Sequence, residues 1–392
     1  MILSNDFRKQ WETIEPAALH AVRRVGSSGW YILGGEVAAF EAALAEFWGV
    51  RHAVGVGNGM DALEIALRCL DLKTGAKVLT TPFSAFATTL AVLRAGGEPV
   101  FVDVDDNGNI DLDQCREVLR RDQSIRFLLP VHLYGNPIDL EKVAALKKDF
   151  DLFVVEDCAQ GIGAKHGGRA VGTVGQAAGT SFYPTKNLGA LGDGGALLTN
   201  DDRIAKRARM LRNYGQSGPY KHDERGLNSR LDEVHAAILL DALLPNLQTW
   251  IERRRTIAAR YRAEIKNPAL RFLTIHHEAE SSWHIFPCFS ANRDALRDHL
   301  QKAKVESAVH YPRIIPDQTA LAALGGGAVA VEPLNARRLA ASQLSLPVHP
   351  FLGDEEIAMI VTTLRGFRTN LSESIRVEIT GEVEKPRRDA VL

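Results

Sequence analysis

With 392 residues, 45% of them hydrophobic, the chain is long enough to bury a large core and reads as two domains. A formal net charge of -1 gives no electrostatic case for a nucleic-acid or membrane-surface partner. Cys69, Cys115, Cys158 and Cys288 have no paired spacing for zinc or a disulfide framework, and no stretch approaches a membrane span, so reduced thiols in a cytoplasmic protein are expected.

Residues 1–15 alternate charged and apolar side chains and lack the hydrophobic core of a signal peptide. Ser28-Gly29-Trp30-Tyr31-Ile32-Leu33-Gly34-Gly35 is a turn-rich, aromatic lead-in. Val37, Phe40, Leu44 and Phe47 then fall at helical spacing, and Gly49 closes that helix. The β-branched run 54–56 leads through Gly57-Asn58-Gly59-Met60-Asp61 into a helix that ends near Leu70. A glycine turn opening a helix offers free backbone N–H groups to a phosphate. As a dinucleotide fingerprint it is incomplete, because Met60 stands where the third glycine belongs. Strands and helices then alternate: 78–80 with 86–94, 99–104 with 112–120, and 127–131 with 140–148. The apolar run from residue 152 ends in Glu156 and Asp157. This alternation predicts an α/β fold with a mostly parallel sheet covered on both faces.

Residues 159–180 are rich in glycine and poor in helical period, which in a compact domain points to function. A short strand near 181–183 leads to Lys186, followed by a strand at 196–199 and a helix at 204–212. Residues 231–265 read as helix broken at Pro245, connecting a large domain (1–245) to a smaller one (246–368). Within it, Arg253-Arg254-Arg255 reads as a solvated basic face. The smaller domain is expected to hold strands at 282–290 and 305–311 and helices at 295–304 and 354–364, with a polar tail at 369–392. His276-His277-Glu278 has ligand-type side chains, but adjacent histidines on a regular element point apart, so no metal site is expected.

Asp157 stands at a strand's carboxyl end, where open α/β sheets place their sites. Lys186 follows in a small-residue, glycine-flanked loop, a setting that lowers its pKa and makes it a nucleophilic amine. Pyridoxal phosphate (PLP) chemistry needs this pairing: a lysine for the Schiff base and an acid that keeps the pyridine nitrogen protonated.

Glu156-Asp157-Cys158-Ala159-Gln160 and Ser181-Phe182-Tyr183-Pro184-Thr185-Lys186-Asn187 resemble the cofactor motifs of the DegT/StrS family of PLP-dependent nucleotide-sugar aminotransferases, a likeness spanning about 29–367. The resemblance implies a fold-type I PLP transferase. By it, Lys186 forms the Schiff base and moves the proton between Cα and C4′, Asp157 pairs with the pyridinium nitrogen, and Gln160 meets the phenolic oxygen. Phe86 matches the aromatic that stacks on the ring. Backbone groups at Gly59, Met60 and Asp61 and the Ser181 hydroxyl match the phosphate site, although many relatives carry Thr where Met60 stands. Gly226-Leu227-Asn228-Ser229-Arg230-Leu231 resembles the segment whose asparagine, here Asn228, reaches the neighbouring subunit's phosphate, implying a homodimer with shared sites. Arg212-Asn213-Tyr214-Gly215 and Val309-His310-Tyr311-Pro312 match segments near the substrate, with Tyr31, Tyr183 and Tyr311 as sugar or nucleotide contacts.

The implied reaction passes an amino group from L-glutamate, through pyridoxamine phosphate, to a nucleotide-linked ketosugar. The motifs most resemble the subgroup acting at C3 of dTDP-3-keto-6-deoxyhexoses, with 4-keto or 5-keto sugars as the alternative. Relatives that dehydrate at C3 carry His at the position of Lys186, which argues against that chemistry here. Two other classes compete: a non-catalytic PLP-binding regulator, disfavoured by the intact Asp157, Gln160 and Lys186 set, and a nicotinamide dehydrogenase, supported only by βα alternation and the Gly55 turn.

Overall fold

The computed structural model describes residues 1–368, so the expected polar tail at 369–392 lies outside the described residues. Eight strands build the main sheet: β1 (His52–Val56), β2 (Lys77–Thr80), β3 (Glu98–Phe101), β4 (Phe127–Leu129), β5 (Phe153–Asp157), β6 (Ala177–Ser181), β7 (Gly195–Thr199) and β8 (Ala328–Val329). Their order is β1-β7-β6-β5-β4-β2-β3-β8. Only β7 runs against its neighbours, pairing antiparallel with both β1 and β6. Val54, Val56, Val78, Leu79, Leu128, Val154 and Val155 are all buried, the apolar continuity expected of strands covered on both faces.

Four helices position the site: α1 (Phe7–Ser28), α2 (Gly35–Trp48), α3 (Gly59–Cys69) and α4 (Phe86–Arg94). No helix is expected from sequence over residues 7–28, where Pro16 and scattered charges mask the pattern. Tertiary packing overrides them, because Ile14, Ala18, Ala21 and Val25 make one buried stripe. Helix α2 ends as expected at Gly49, whose φ of 75° suits a residue without a side chain.

The second half departs further from expectation. Residues 305–311 form no strand; Val305 and Ala308 make only isolated bridges, to Ile2 and Ser345. The strand expected at 282–290 contracts to Phe286–Phe289, the middle of an antiparallel sheet with Arg271–Phe272 and Gln343–Leu346. The long helical stretch divides into Glu233–Ile238, a π-turn at Leu239–Leu243, a 3-10 turn at Leu244–Asn246 and the helix Leu247–Glu264, so the break falls at Pro245. Two pieces cross residue 245: Ile2 bridges to Val305, and β8 extends the main sheet beside β3.

The solvated reading of the arginine run is corrected at Arg254. This side chain is buried and donates to the carbonyls of Trp283 and His284 at 3.3 and 3.4 Å. Burial pulls its pKa down to about 10. Among the described residues, no helix is long and apolar enough to cross a membrane.

Candidate active site

Successive side chains of β5 point to opposite faces of the sheet, so its two terminal acids have different surroundings. Glu156 accepts the amides of Gly172, Val174 and Gly175, each at 2.8 Å, and meets His132 Nε2 at 3.0 Å. Burial opposes its ionisation, but His132 and these amides outweigh it and hold its pKa below the usual value. The glycine-rich stretch after β5 is therefore wound around a buried carboxylate.

Asp157 faces the other way. Thr88, in the first turn of α4, donates to its Oδ2 at 2.8 Å, and the Ala159 amide donates to Oδ1 at 3.0 Å. Burial raises its pKa, against the pull of Ala159, Thr88 and Lys186. Lys186 lies in the turn after β6, its amide bonded to the Tyr183 carbonyl at 2.8 Å. Loss of water around its amine lowers its pKa from 10.5 to about 8, while the Asp157 charge pulls it back up. Lys186 and Asp157 thus lie within electrostatic reach of each other, with burial favouring the neutral form of both.

At the start of α3, Asn58 caps the helix by accepting the Asp61 amide at 2.8 Å. That gives Asp61 a different role from a backbone phosphate contact. Its N–H is engaged, and its buried carboxylate accepts Ser229 Oγ at 2.7 Å. The amides of Gly59 and Met60 remain as first-turn donors without intrahelical partners. Gly59 sits directly on the end of β6: a Cβ there would lie 2.7 Å from Ser181 Cβ. Only glycine permits this approach, which sets the Ser181 hydroxyl beside the helix start.

Gln160 is fixed at both ends. Its Oε1 accepts the Tyr134 amide at 2.5 Å and its Nε2 donates to Tyr311 Oη at 3.1 Å. Tyr134 in turn donates to the His310 carbonyl at 2.6 Å, so the loop after β5 is tied to 309–312. Burial pushes the Tyr311 phenol up to about 12, and lowers His310 to about 4 with help from Lys186. Phe86 is half-buried two residues before Thr88, against the cluster of Phe101, Ile315 and Leu321.

Tyr31 and Tyr183 are about half exposed, and Asn228 is exposed, while its neighbour Ser229 is buried against Gly57 and Asp61. Arg212 does not face open space: it is buried in an ion pair with Glu41 and donates to the Gly55 carbonyl at 2.8 Å, bracing β1. Sequence reasoning missed Thr88 and Tyr134. Only their tertiary neighbours mark them out, although Thr88, two residues after Phe86 in a helix's first turn, offered a weak signal.

A family model described as the DegT/DnrJ/EryC1/StrS aminotransferase family matches residues 12–365. The chain belongs to that family. It is 42% identical over 348 residues to the erythromycin biosynthesis sensory transduction protein EryC1 of Saccharopolyspora erythraea, which covers 88% of this chain and 93% of that one. It is 36% identical over 371 residues to the dTDP-3-amino-3,4,6-trideoxy-alpha-D-glucose transaminase of Streptomyces venezuelae, covering 94% and 97% of the two chains. The crystal structure of S. venezuelae DesV in complex with a ketimine intermediate matches with a TM-score of 0.89 at 36% identity, over 93% of this chain and 97% of that one.

This member of the DegT/DnrJ/EryC1/StrS family is a PLP-dependent sugar aminotransferase with the α/β fold of its solved neighbours. The dehydrogenase reading is thereby set aside. Its residues fit the cofactor. The Gly59–Ser181 approach makes a cradle that a Cβ would fill, and the buried Asp157 carboxylate lies within the electrostatic reach of Lys186.

Proposed function

We propose that the enzyme transfers the amino group of L-glutamate to C3 of a dTDP-3-keto-6-deoxyhexose. The observation that carries the chemistry is the pairing of Lys186, with its amine pKa near 8, and the buried Asp157. The sugar assignment is supported by the name of the S. venezuelae transaminase, together with the motif likeness of 29–34 and 181–195. The regulatory name of the S. erythraea relative belongs to that protein.

When bound, PLP supplies the sink for the electron pair left at the substrate's Cα. Asp157 would keep a proton on the ring nitrogen, and Thr88 and Ala159 hold its carboxylate in place for that task. Lys186 Nζ would take the proton from the donor's Cα and deliver it to the cofactor carbon within the same half-reaction, and in the second half-reaction carry a proton the opposite way to the sugar carbon; burial, which lowers its pKa, favours the neutral amine that starts each transfer. Gln160, pinned by Tyr134 and Tyr311, fixes one edge of the site. Gly59, Met60 and Ser181 would hold the phosphate.

A homodimer with shared sites is part of this reading. Asn228 is exposed on its own subunit, where a neighbour's site can meet it, and Trp30 and Tyr31 leave an aromatic surface for a second copy. The four free cysteines accord with a cytoplasmic enzyme. The test is a panel of 3-keto and 4-keto nucleotide sugars supplied with glutamate, the position of the new amine being read by NMR. Amination at C4, or none with any 3-keto sugar, would overturn the assignment.

A further inference from the structure

His166 belongs to the hairpin Lys165–His166 and Arg169–Ala170 that follows the cofactor strand, and it is 3% exposed. Its Nε2 is sealed from solvent and has no hydrogen-bond partner. A buried polar atom without a partner is destabilising, so this nitrogen calls for a ligand.

Two other ligand-type atoms converge on it. Glu278 Oε2 lies 4.0 Å from His166 Nε2 and 3.9 Å from His276 Nδ1, and one ligand atom from each of the three residues lies within 4.8 Å of the other two. The premise that adjacent histidines diverge does not hold here. His276 and His277 occupy a turn rather than a regular element, with their rings 4.3 Å apart. It is His166, more than a hundred residues earlier in the chain, that completes the group. The rings of His166 and His276 are 5.5 Å apart. Two imidazoles on one tetrahedral ion have ring centres roughly 5–6 Å apart.

The backbone holds this arrangement. Ala279 pairs with His166, Glu280 pairs with Lys165, and the Gly167 amide donates to the Glu278 carbonyl at 2.9 Å. His276 Nδ1 accepts only a long contact, 3.4 Å, from the Glu278 amide. Beside the group opens a cavity of about 330 Å³ whose walls carry Asp105, Asp111, Asp113 and Asp139 against Lys142, a surface that favours a cation.

We propose that His166, His276 and Glu278 bind one divalent transition-metal ion of the Zn²⁺, Ni²⁺ or Cu²⁺ class, with water in the remaining position. Two imidazoles and a carboxylate suit these borderline ions, whereas Mg²⁺ and Ca²⁺ prefer oxygen-only sets. On a tetrahedral ion the ligand atoms stand about 3.4 Å apart, so the group must contract. Glu278 and His276, whose side chains are 50% and 52% exposed, are free to close on the anchored His166. The ion would clip the loop at 276–280 to the hairpin.

The test uses the untagged, PLP-loaded full chain, stripped with a chelator and titrated with Zn²⁺ by equilibrium dialysis and with Co²⁺ by visible absorption. One ion per chain is expected. His276→Ala and Glu278→Gln should each weaken binding about tenfold or more, while His277→Ala leaves it unchanged. Both weakening substitutions are at exposed positions, so the result does not depend on the fate of a His166 variant. No saturable binding up to millimolar Zn²⁺, binding that survives His276→Ala, or loss that follows His277→Ala would overturn the proposal.

Discussion

Thr88 donates its hydroxyl to Asp157 Oδ2 at 2.8 Å, from a helix to the end of a neighbouring strand. Asp157 already carries a pKa raised by burial, and the Thr88 hydrogen bond is one of the forces that keep it ionised. Removing that hydroxyl should raise the pKa further. Hydrogen bonds to charged groups contribute about 1.5–3 kcal/mol, so Thr88→Val is expected to lower kcat about tenfold or more. Thr88→Ser should retain most of the activity. Steady-state rates with saturating glutamate and ketosugar check this; a Thr88→Val enzyme at full rate would show that the contact is idle.

Lys186 should titrate well below other lysines. In cofactor-free protein its labelling by an amine-directed reagent, followed by peptide mass spectrometry, should rise with pH around a midpoint of about 8 rather than 10.5. Burial lowers this pKa and the Asp157 charge raises it, so Asp157→Asn should move the midpoint lower still. A midpoint near 10 in the native chain, or an upward move in the variant, would contradict the electrostatic account.

The Glu156 carboxylate organises the glycine-rich stretch. Glu156→Gln keeps the shape but turns an N–H₂ toward amides that need an acceptor, and leaves His132 without its anion. Breaking a buried charged network costs about 3–5 kcal/mol. The variant should show a clearly lower urea midpoint and weaker PLP retention, and an unchanged midpoint would mean that the loop is held by other contacts.

If Asn228 serves a neighbouring subunit, its loss and the loss of Lys186 fall on different chains of one site. Asn228→Ala alone should bind PLP more weakly, and Lys186→Ala alone should be inactive. Mixed dimers of the two should recover activity from the site that is intact in both residues. No recovery after verified subunit exchange would place each site within one chain.

The parts of this chain that were legible beforehand were those with local signatures. Alternating strands and helices announce themselves by period, Gly49 by its position after a helix, and Asp157 and Lys186 by their place in ordered motifs. What stayed hidden depends on contacts between distant residues. The reversed direction of β7 leaves no mark on its composition, because a buried strand is equally apolar in either direction. Residues 305–311 look like a strand, yet find edge partners only at Val305 and Ala308. Arg254 resembles the arginines beside it until two backbone carbonyls take its donors. Thr88 reads as part of an apolar helix until Asp157 is seen facing it.

The placing of Glu156 and Asp157 on opposite faces of β5 has a further consequence. Architecture and chemistry are assigned to consecutive positions, so sliding this strand by a single residue against β4 and β6 would exchange them. The glycine loop would lose its anchor at the same moment that Asp157 lost its place beside Thr88 and Lys186. One-residue insertions or deletions within 153–157 should therefore be tolerated far less well than conservative replacement of the apolar side chains around them.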